Sequence, residues 1–454
     1  MKRIVCGPSL CFAVLIYGWF TASAFAASQA RIVRLSDVQG DVQIDQAFGQ
    51  GYAKAFLNLP IQQGSKLKTG ADARAEVEFE DGSIIHLAPN TILQFLDLSL
   101  TDDGGRLSTV ELQQGQAYFN LLRETGNARD ELTVAFGLES AKPTPPAHFR
   151  ITRKDQGASL AVFGGSVHLL GPSDNEVDKQ QTVELDNDGQ PHLVGKAERD
   201  AWDQWDKQQI EYHERYLVRS IQPGYPYAYG LSDLGYYGSF FQLAGYGSCW
   251  QPYFTGLGWD PFMDGAWVWD PAWGYTWVSA YPWGWMPYHY GSWMYAGGGF
   301  GWCWLPGNTW VTNYLPVIIT PVRHPPRGFP PRHPPLPGGG RIVQVGRGLT
   351  SSALLAKNAQ PSLLVVHHGD AGLSIPRGVH NLKEINHDFA QHGQVTLQIA
   401  PARAGGAVLV TRQVNAGAQQ ANSAGRAGTG TGMVSTHISA PVAPSAQASS
   451  APHK

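Results

Sequence analysis

The chain has 454 residues, 43% hydrophobic and 15% charged, with a formal net charge of -3. That length allows two or three domains, and beyond the first 26 residues no stretch approaches the ~18 continuous apolar residues of a membrane-spanning helix. The near-neutral total hides an asymmetry, because nine Arg and three Lys from Arg323 to Lys454 face only Asp370, Glu384 and Asp388, a local balance of +9.

The chain opens with Lys2 and Arg3, an apolar run from Ile4 to Phe20, and Ala24-Phe25-Ala26 as a small-x-small cleavage site. This predicts a signal peptide over residues 1–26 and an exported protein, periplasmic or at the cell surface; a retained anchor is the alternative. Cys6 and Cys11 leave with that segment, so Cys249 and Cys303 remain. In an oxidising compartment they are expected to pair, and the closed loop would stabilise the fold by about 4 kcal/mol. Two buried free thiols are the alternative.

Residues 31–195 read as a β-domain, a sandwich or incomplete barrel of short strands. Val33 to Ile44 alternates around Gly40, and Ala75, Val77 and Phe79 alternate with Glu76 and Glu78 as in a half-buried strand. Asp81-Gly82 then predicts a hairpin into Ile84–Leu87. Further short strands are expected at Ile92–Leu98, Thr109–Leu112, Gln116–Leu121, Phe149–Thr152, Leu160–Phe163 and Ser166–Leu169, with turns at Gly104-Gly105, Gly115 and Gly164-Gly165.

Residues 196–219 read as a linker helix, with Trp202, Trp205, Tyr212 and Tyr216 on one stripe that packs on a neighbouring domain. Residues 221–314 form an aromatic module. From Tyr246 to Trp310 lie 12 of the 15 tryptophans, with no Lys, Arg or Glu. The units Trp250-Gln-Pro-Tyr253, Trp259-Asp-Pro-Phe262 and Trp285-Met-Pro-Tyr288 form an internal repeat. The pairs Trp267/Trp269, Trp283/Trp285 and Trp302/Trp304, like Tyr275/Trp277 and Tyr288/Tyr290, have the period of a strand and predict short hairpins with stacked rows. Residues 315–340 are a Pro-rich linker. Residues 341–454 form a largely disordered, basic tail, with apolar clusters such as Leu363–Val366 able to fold locally.

The stretch from Arg31 to about Leu170 resembles the FecR domain of bacterial envelope proteins. The residues that carry the likeness are Arg31-Ile-Val-Arg-Leu-Ser, Asn58-Leu-Pro-Ile61, Leu67-Lys-Thr-Gly70, Ala73-Arg-Ala-Glu76, Phe79-Glu-Asp-Gly82, Leu87-Ala-Pro-Asn90 and Leu112-Gln-Gln-Gly115. The aromatic module resembles a domain of unassigned function that follows such regions in exported proteins. The resemblance implies a β-rich periplasmic sensing or scaffolding module. FecR proteins proper relay a periplasmic signal to a cytoplasmic sigma factor, but here only three residues precede the apolar run. That leaves the direct signalling role as the alternative to binding or scaffolding.

No H-E-x-x-H or G-x-S-x-G motif is present, and Gly189-Gln-Pro-His-Leu-Val-Gly195-Lys196 misses the P-loop spacing by one residue. The reading is therefore non-enzymatic, with no cofactor and no metal site, and an envelope glycan hydrolase using Asp260 or Asp264 as an acid–base group is the alternative; His367-His368 and His380, His387 and His392 match no closed ligand set. A ligand surface is expected at Trp259, Asp260, Asp264, Trp267, Trp269, Trp285, His289 and Trp293, because rings cover the apolar face of a sugar while aspartates accept from its hydroxyls. The simpler reading of Asp260, Asp264 and Asp270 is turn capping, since each precedes Pro or Gly. His289, between Tyr288 and Tyr290, is read as a hydrogen-bonded structural histidine, with ligand contact or pH sensing the sharper alternative. An envelope polysaccharide or envelope protein is the expected partner, with peripheral envelope contact through the basic tail. Nucleic acid is excluded, because the module has no cation to meet phosphates. The oligomeric state is left open.

Overall fold

A computed structural model describes the chain from residue 31 to 414 with gaps, the longer ones at 123–129, 219–226, 312–316, 319–327, 333–341, 344–362 and 400–409. The expected signal peptide and the tail beyond 414 lie outside the described residues.

The first domain is one continuous 15-stranded sheet that does not close into a barrel. Its centre runs Glu139–Arg153, Glu131–Phe136, Arg106–Leu121, Ile84–Leu87, Arg74–Glu78 and Val33–Gln39. The Asp81-Gly82 hairpin forms as expected, with Val77 opposite Ile85 and Gly82 at φ 87°. Leu35, Val77, Ile85, Phe119 and Phe149 share the core face. The strands are longer than the sequence suggests. Gly115 does not end a strand: Arg106–Leu121 runs through it at φ 86°, where an added Cβ would lie 2.5 Å from the Asn90 carbonyl oxygen. Ala158–Leu170 likewise runs through Gly164-Gly165. Glu139–Arg153 carries Pro143, Pro145 and Pro146, and its register with the neighbouring strand breaks between Thr144 and His148, where missing donors are tolerated.

A further difference decides the architecture. Glu76 and Glu78 were expected on a solvent face, but both are buried, as are Arg34 and Ser36 on the adjacent strand. That face is covered by helix α1 (Asp203–Tyr216) and by the aromatic domain behind it.

The aromatic domain starts with the short helix α2 (Leu231–Tyr237), after Gly230 at φ 78°. Two of the expected hairpin rows form: Trp267 faces Trp277 and Trp269 faces Tyr275, while Trp293 faces Trp304 and Tyr295 faces Trp302. Trp283–Tyr290 differs. Trp285 opens a single helical turn, α3 (Met286–His289), because Pro287 sits at its start, where its fixed φ suits a helix and its missing N–H is harmless.

The region read as tail is partly folded. Leu363–Val366, Val395–Ile399 and Val410–Val414 form a three-stranded sheet, and helix α4 (Leu382–His392) buries Leu382, Ile385 and Phe389. These three side chains belong to the same apolar cluster as Trp250, Trp283 and Trp304. Among the described residues no helix is long and apolar enough to cross a membrane.

Trp283 is fully buried, stacked on Tyr281 at 4.9 Å, and donates to the Ala371 carbonyl. Trp283→Ala is therefore expected to lower the unfolding free energy by about 3–5 kcal/mol in a urea titration. A change within ~0.5 kcal/mol would place the ring outside the core.

Candidate functional site: a buried charged interface

The residues that meet across the covered face follow from strand register. Glu76, His86, Tyr118 and Arg150 stand opposite one another on four strands, each paired with the next because Glu139–Arg153 also pairs directly with Arg106–Leu121, and they form a polar row across the sheet. Helix α1 lies on this row. Asp203 and Asp206, three apart and so on one face, supply the partners. Asp203 accepts from the Tyr118 hydroxyl at 2.9 Å and from Arg150 at 2.6 Å. Asp206 pairs with His86 Nδ1 at 2.7 Å and His148 Nε2 at 2.8 Å. His213, further along the helix, meets Glu76 at 3.0 Å and the Ser232 hydroxyl at 2.8 Å. The helix thus buries an acidic stripe as well as the aromatic stripe of Trp205 and Tyr212, and Trp205 lies against the His86 ring at 5.1 Å.

The neighbouring row joins the sheet to the aromatic domain. Arg34, fully buried, donates to Asn58, Glu78 and the Pro282 carbonyl, and contacts Asp233 at 2.6 Å. Asn58 donates to the Ser279 and Tyr281 carbonyls. Glu78 also accepts from the Gly230 N–H at 3.0 Å. From the C-terminal region, Arg377 reaches Glu76 at 2.7 Å and Asp233 at 3.0 Å.

Electrostatics follow from burial and partners. Burial disfavours the charged form of Glu76, but Arg377 and His213 outweigh it and hold the carboxyl well below its ordinary value. Asp233 is likewise penalised by burial yet brought down to about 2 by Arg377 and Arg34. Burial raises Glu78 despite its contact with Arg34, with Asp233 and Glu76 adding to the rise. Burial opposes charging His86, but its hydrogen bonds to Asp206 and Glu76 raise it to about 9.

The expected ligand residues are placed otherwise. Trp259, Trp267, Trp285 and Trp293 are buried and packed against other rings, so none offers a face to a sugar in this conformation. Trp269 is half-buried on its hairpin beside Tyr275. Asp260 accepts from the backbone N–H groups of Phe262 and Gly328, and Asp264 accepts from the Tyr281 hydroxyl. His289 is fully buried, stacked on Trp310 at 4.6 Å, with both ring nitrogens lacking a hydrogen-bond partner among the described residues. Burial, with Arg34 adding to it, lowers His289 to about 3. The hydrogen bonds expected of a structural histidine are thus not formed among the described residues, and ring packing on Trp310 and Trp285 takes their place. Cys249 and Cys303 are brought together on one face, but their sulfurs are 3.3 Å apart and unbonded. Among the described residues no cluster of three His, Cys, Asp or Glu could hold a metal ion.

Sequence reading missed Asp233, because it took Asp260, Asp264 and Asp270 as the acids near the rings. It also passed over Arg34, His86, Asp206 and Arg377. The available signal was alternation: Arg34 and Ser36, Glu76 and Glu78, and His86 fall on one face of adjacent strands.

Residues 65–168 match the FecR protein family. Residues 231–322 match a family of unknown function, DUF6600. The chain thus carries a FecR domain with a DUF6600 domain C-terminal to it. The sheet extends beyond the FecR match on both sides, and the aromatic rings lie almost wholly within the second match. No curated protein matches the chain. Among solved structures it is similar to two crystal structures from Parabacteroides distasonis ATCC 8503, both provisionally described as an anti-sigma factor. One is 20% identical with a TM-score of 0.27, covering 33% of this chain and 73% of its own. The other is 19% identical with a TM-score of 0.25, covering 34% and 68%. Likeness at that level carries no weight for this chain's fold or role.

Two outcomes are expected at the interface. Arg34→Ala leaves Glu78 without its buried arginine and Asp233 with Arg377 alone, and should destabilise by about 3–5 kcal/mol in chemical denaturation. The second concerns pH. The folded pKa of His86 lies above its ordinary 6.5, so its contribution is fully present below pH 6.5 and is lost as pH rises through about 9. Its size is on the order of 3 kcal/mol. Thermal melts should show stability falling from pH 6.5 to 9, and His86→Gln should flatten that limb. An unchanged alkaline limb in the variant would remove His86 from the network.

Proposed function

We propose that this chain is an exported, non-enzymatic component of a trans-envelope signalling relay and acts through a protein partner. The observation that carries this reading is the FecR match at residues 65–168, the family of envelope regulators that the N-terminal motifs resemble. The placement of the rings supports a protein partner over a polysaccharide, because the tryptophans expected to stack on sugars pack on one another instead. Asp260 and Asp264 are committed to backbone and Tyr281 rather than poised as an acid–base pair. The buried interface supplies the element a signal would act on. A partner that drew helix α1 away would have to separate Asp206 from His86 and His148 in the sheet, and Tyr212 from Asp233 and His213 from Ser232 in the aromatic domain, so both domains would respond together.

The relay reading is tested by comparing transcripts of cells with and without the protein. A change confined to genes under one alternative sigma factor is expected, and an unchanged profile would sink the reading. Titration of the purified protein with peptidoglycan fragments should leave its Trp fluorescence unshifted.

Export would expose Cys249 and Cys303 to an oxidising compartment. Their 3.3 Å separation supports closure into a disulfide with little backbone movement. Thiol labelling of the denatured mature protein from its native compartment should count none before reduction and two after. Two reactive thiols before reduction would speak against the pairing.

A further inference from the structure

Residues 369–378 and 381–392, which lie outside both family matches, pack against the FecR-bearing sheet through Arg377 and against the aromatic domain through Ala371, Ile375 and the apolar face of α4. The guanidinium of Arg377 is the anchor. Its Nε and Nη2 donate to the two oxygens of Asp233 at 3.1 and 3.0 Å, a bidentate fork, while Nη1 reaches Glu76 at 2.7 Å. Nη2 also meets the Ser36 carbonyl at 3.1 Å, and the group lies 4.8 Å over the Tyr212 ring. Planar fork geometry and an aromatic face together select arginine over lysine.

The flanking chain is recognised through its backbone. Tyr237 and Tyr236 donate their hydroxyls to the Ile375 and Pro376 carbonyls, and Trp283 donates its ring N–H to that of Ala371. Such donors hold a peptide backbone whatever side chains it carries. Specificity then falls on Arg377 and on the apolar face of α4, Leu382, Ile385 and Phe389.

Glu76 and Asp233 do not need Arg377 to stay satisfied. Asp233 retains Arg34 at 2.6 Å and the Tyr212 hydroxyl at 2.7 Å. Glu76 retains the Ser36 hydroxyl, His86 and His213. A charge that is a keystone leaves its partners bare on removal; this one leaves them paired. We propose that the face covered by Arg377 and its flanking residues is a binding site for an arginine-bearing peptide, with residues 369–392 as its resident ligand, exchangeable for a peptide of the same chemistry presented in trans. This assignment stands whether or not the protein signals.

The test uses the full mature chain and a fluorescent synthetic peptide of residues 369–392. The Arg377→Ala chain should keep a cooperative melt and bind the peptide saturably in fluorescence anisotropy. A peptide with the same Arg377→Ala change should bind at least about 30-fold more weakly, as expected when one partner of a buried charge pair is lost. Equal binding of both peptides, or none to the folded variant, would overturn the proposal. Should the Arg377→Ala chain lose its cooperative melt, a chain of native residues with a protease site introduced within 344–362 decides the matter. After cleavage, excess labelled peptide should replace the resident fragment in native mass spectrometry. A fragment that resists replacement is part of the core, and the proposal fails.

Discussion

A sheet face that carries charge can be buried only if each charge finds a partner as it leaves water, because an unpaired ion in the interior costs several kcal/mol. The rest of this structure depends on that constraint. Strand alternation puts Arg34, Glu76, Glu78 and His86 on the face away from the first domain's core. Helices α1 and α2 bring the charge that face lacks: Asp206 for His86, His213 for Glu76 and Asp233 for Arg34, with Arg377 of the C-terminal region adding a further contact to Glu76 and Asp233. Those pairings set how the elements sit. A shift of α1 by one residue along its axis would turn Asp203 and Asp206 away from Arg150 and His86 together, since a helix rotates about 100° per residue. An apolar contact would tolerate the slip far better.

The aromatic domain meets the same problem with different residues. It has almost no charge to spend, and it gives four of its indole N–H groups an acceptor, while those of Trp293 and Trp302 have none among the described residues and rest on ring packing alone. Trp250, Trp259, Trp283 and Trp304 donate to Leu234, Tyr281, Ala371 and Tyr290 respectively. The rings pack mostly tilted or edge to face, the arrangement their quadrupoles favour. Such a cluster is a core, and its repeated Trp-x-Pro-aromatic units mark how that core is built rather than what it binds.

Much of the fold could be read from the chain. Ala75, Val77 and Phe79 announced a strand, Asp81-Gly82 announced its turn, and the Trp267/Trp269 and Trp302/Trp304 pairs announced hairpins. Local rules failed where tertiary context overrode them. Pro145 and Pro146 argue against a strand that a register break in fact accommodates, and Pro287 turns a strand-like pattern into a helical turn. The interface was less legible. Alternation says which residues share a face, but whether that face meets water or another domain depends on contacts as distant as Arg377 with Ser36 and Glu76. Asp233 sits in a seven-residue helix with Gly235 inside it, a segment whose propensity gives no warning of its place at the centre.

Charges shared among the sheet, helix α1 and the aromatic domain require the three to unfold as one unit. The domains can be followed separately, since residues 31–195 contain no tryptophan and the aromatic domain holds most of them. Native-state hydrogen exchange at Leu112–Phe119 in the sheet, set beside Trp fluorescence in a denaturant titration, measures this directly. The account predicts one opening free energy for both probes in the native chain, and a parallel fall in both for Arg34→Ala. Two separate transitions in the native chain, with the sheet still protected after the fluorescence has changed, would contradict it.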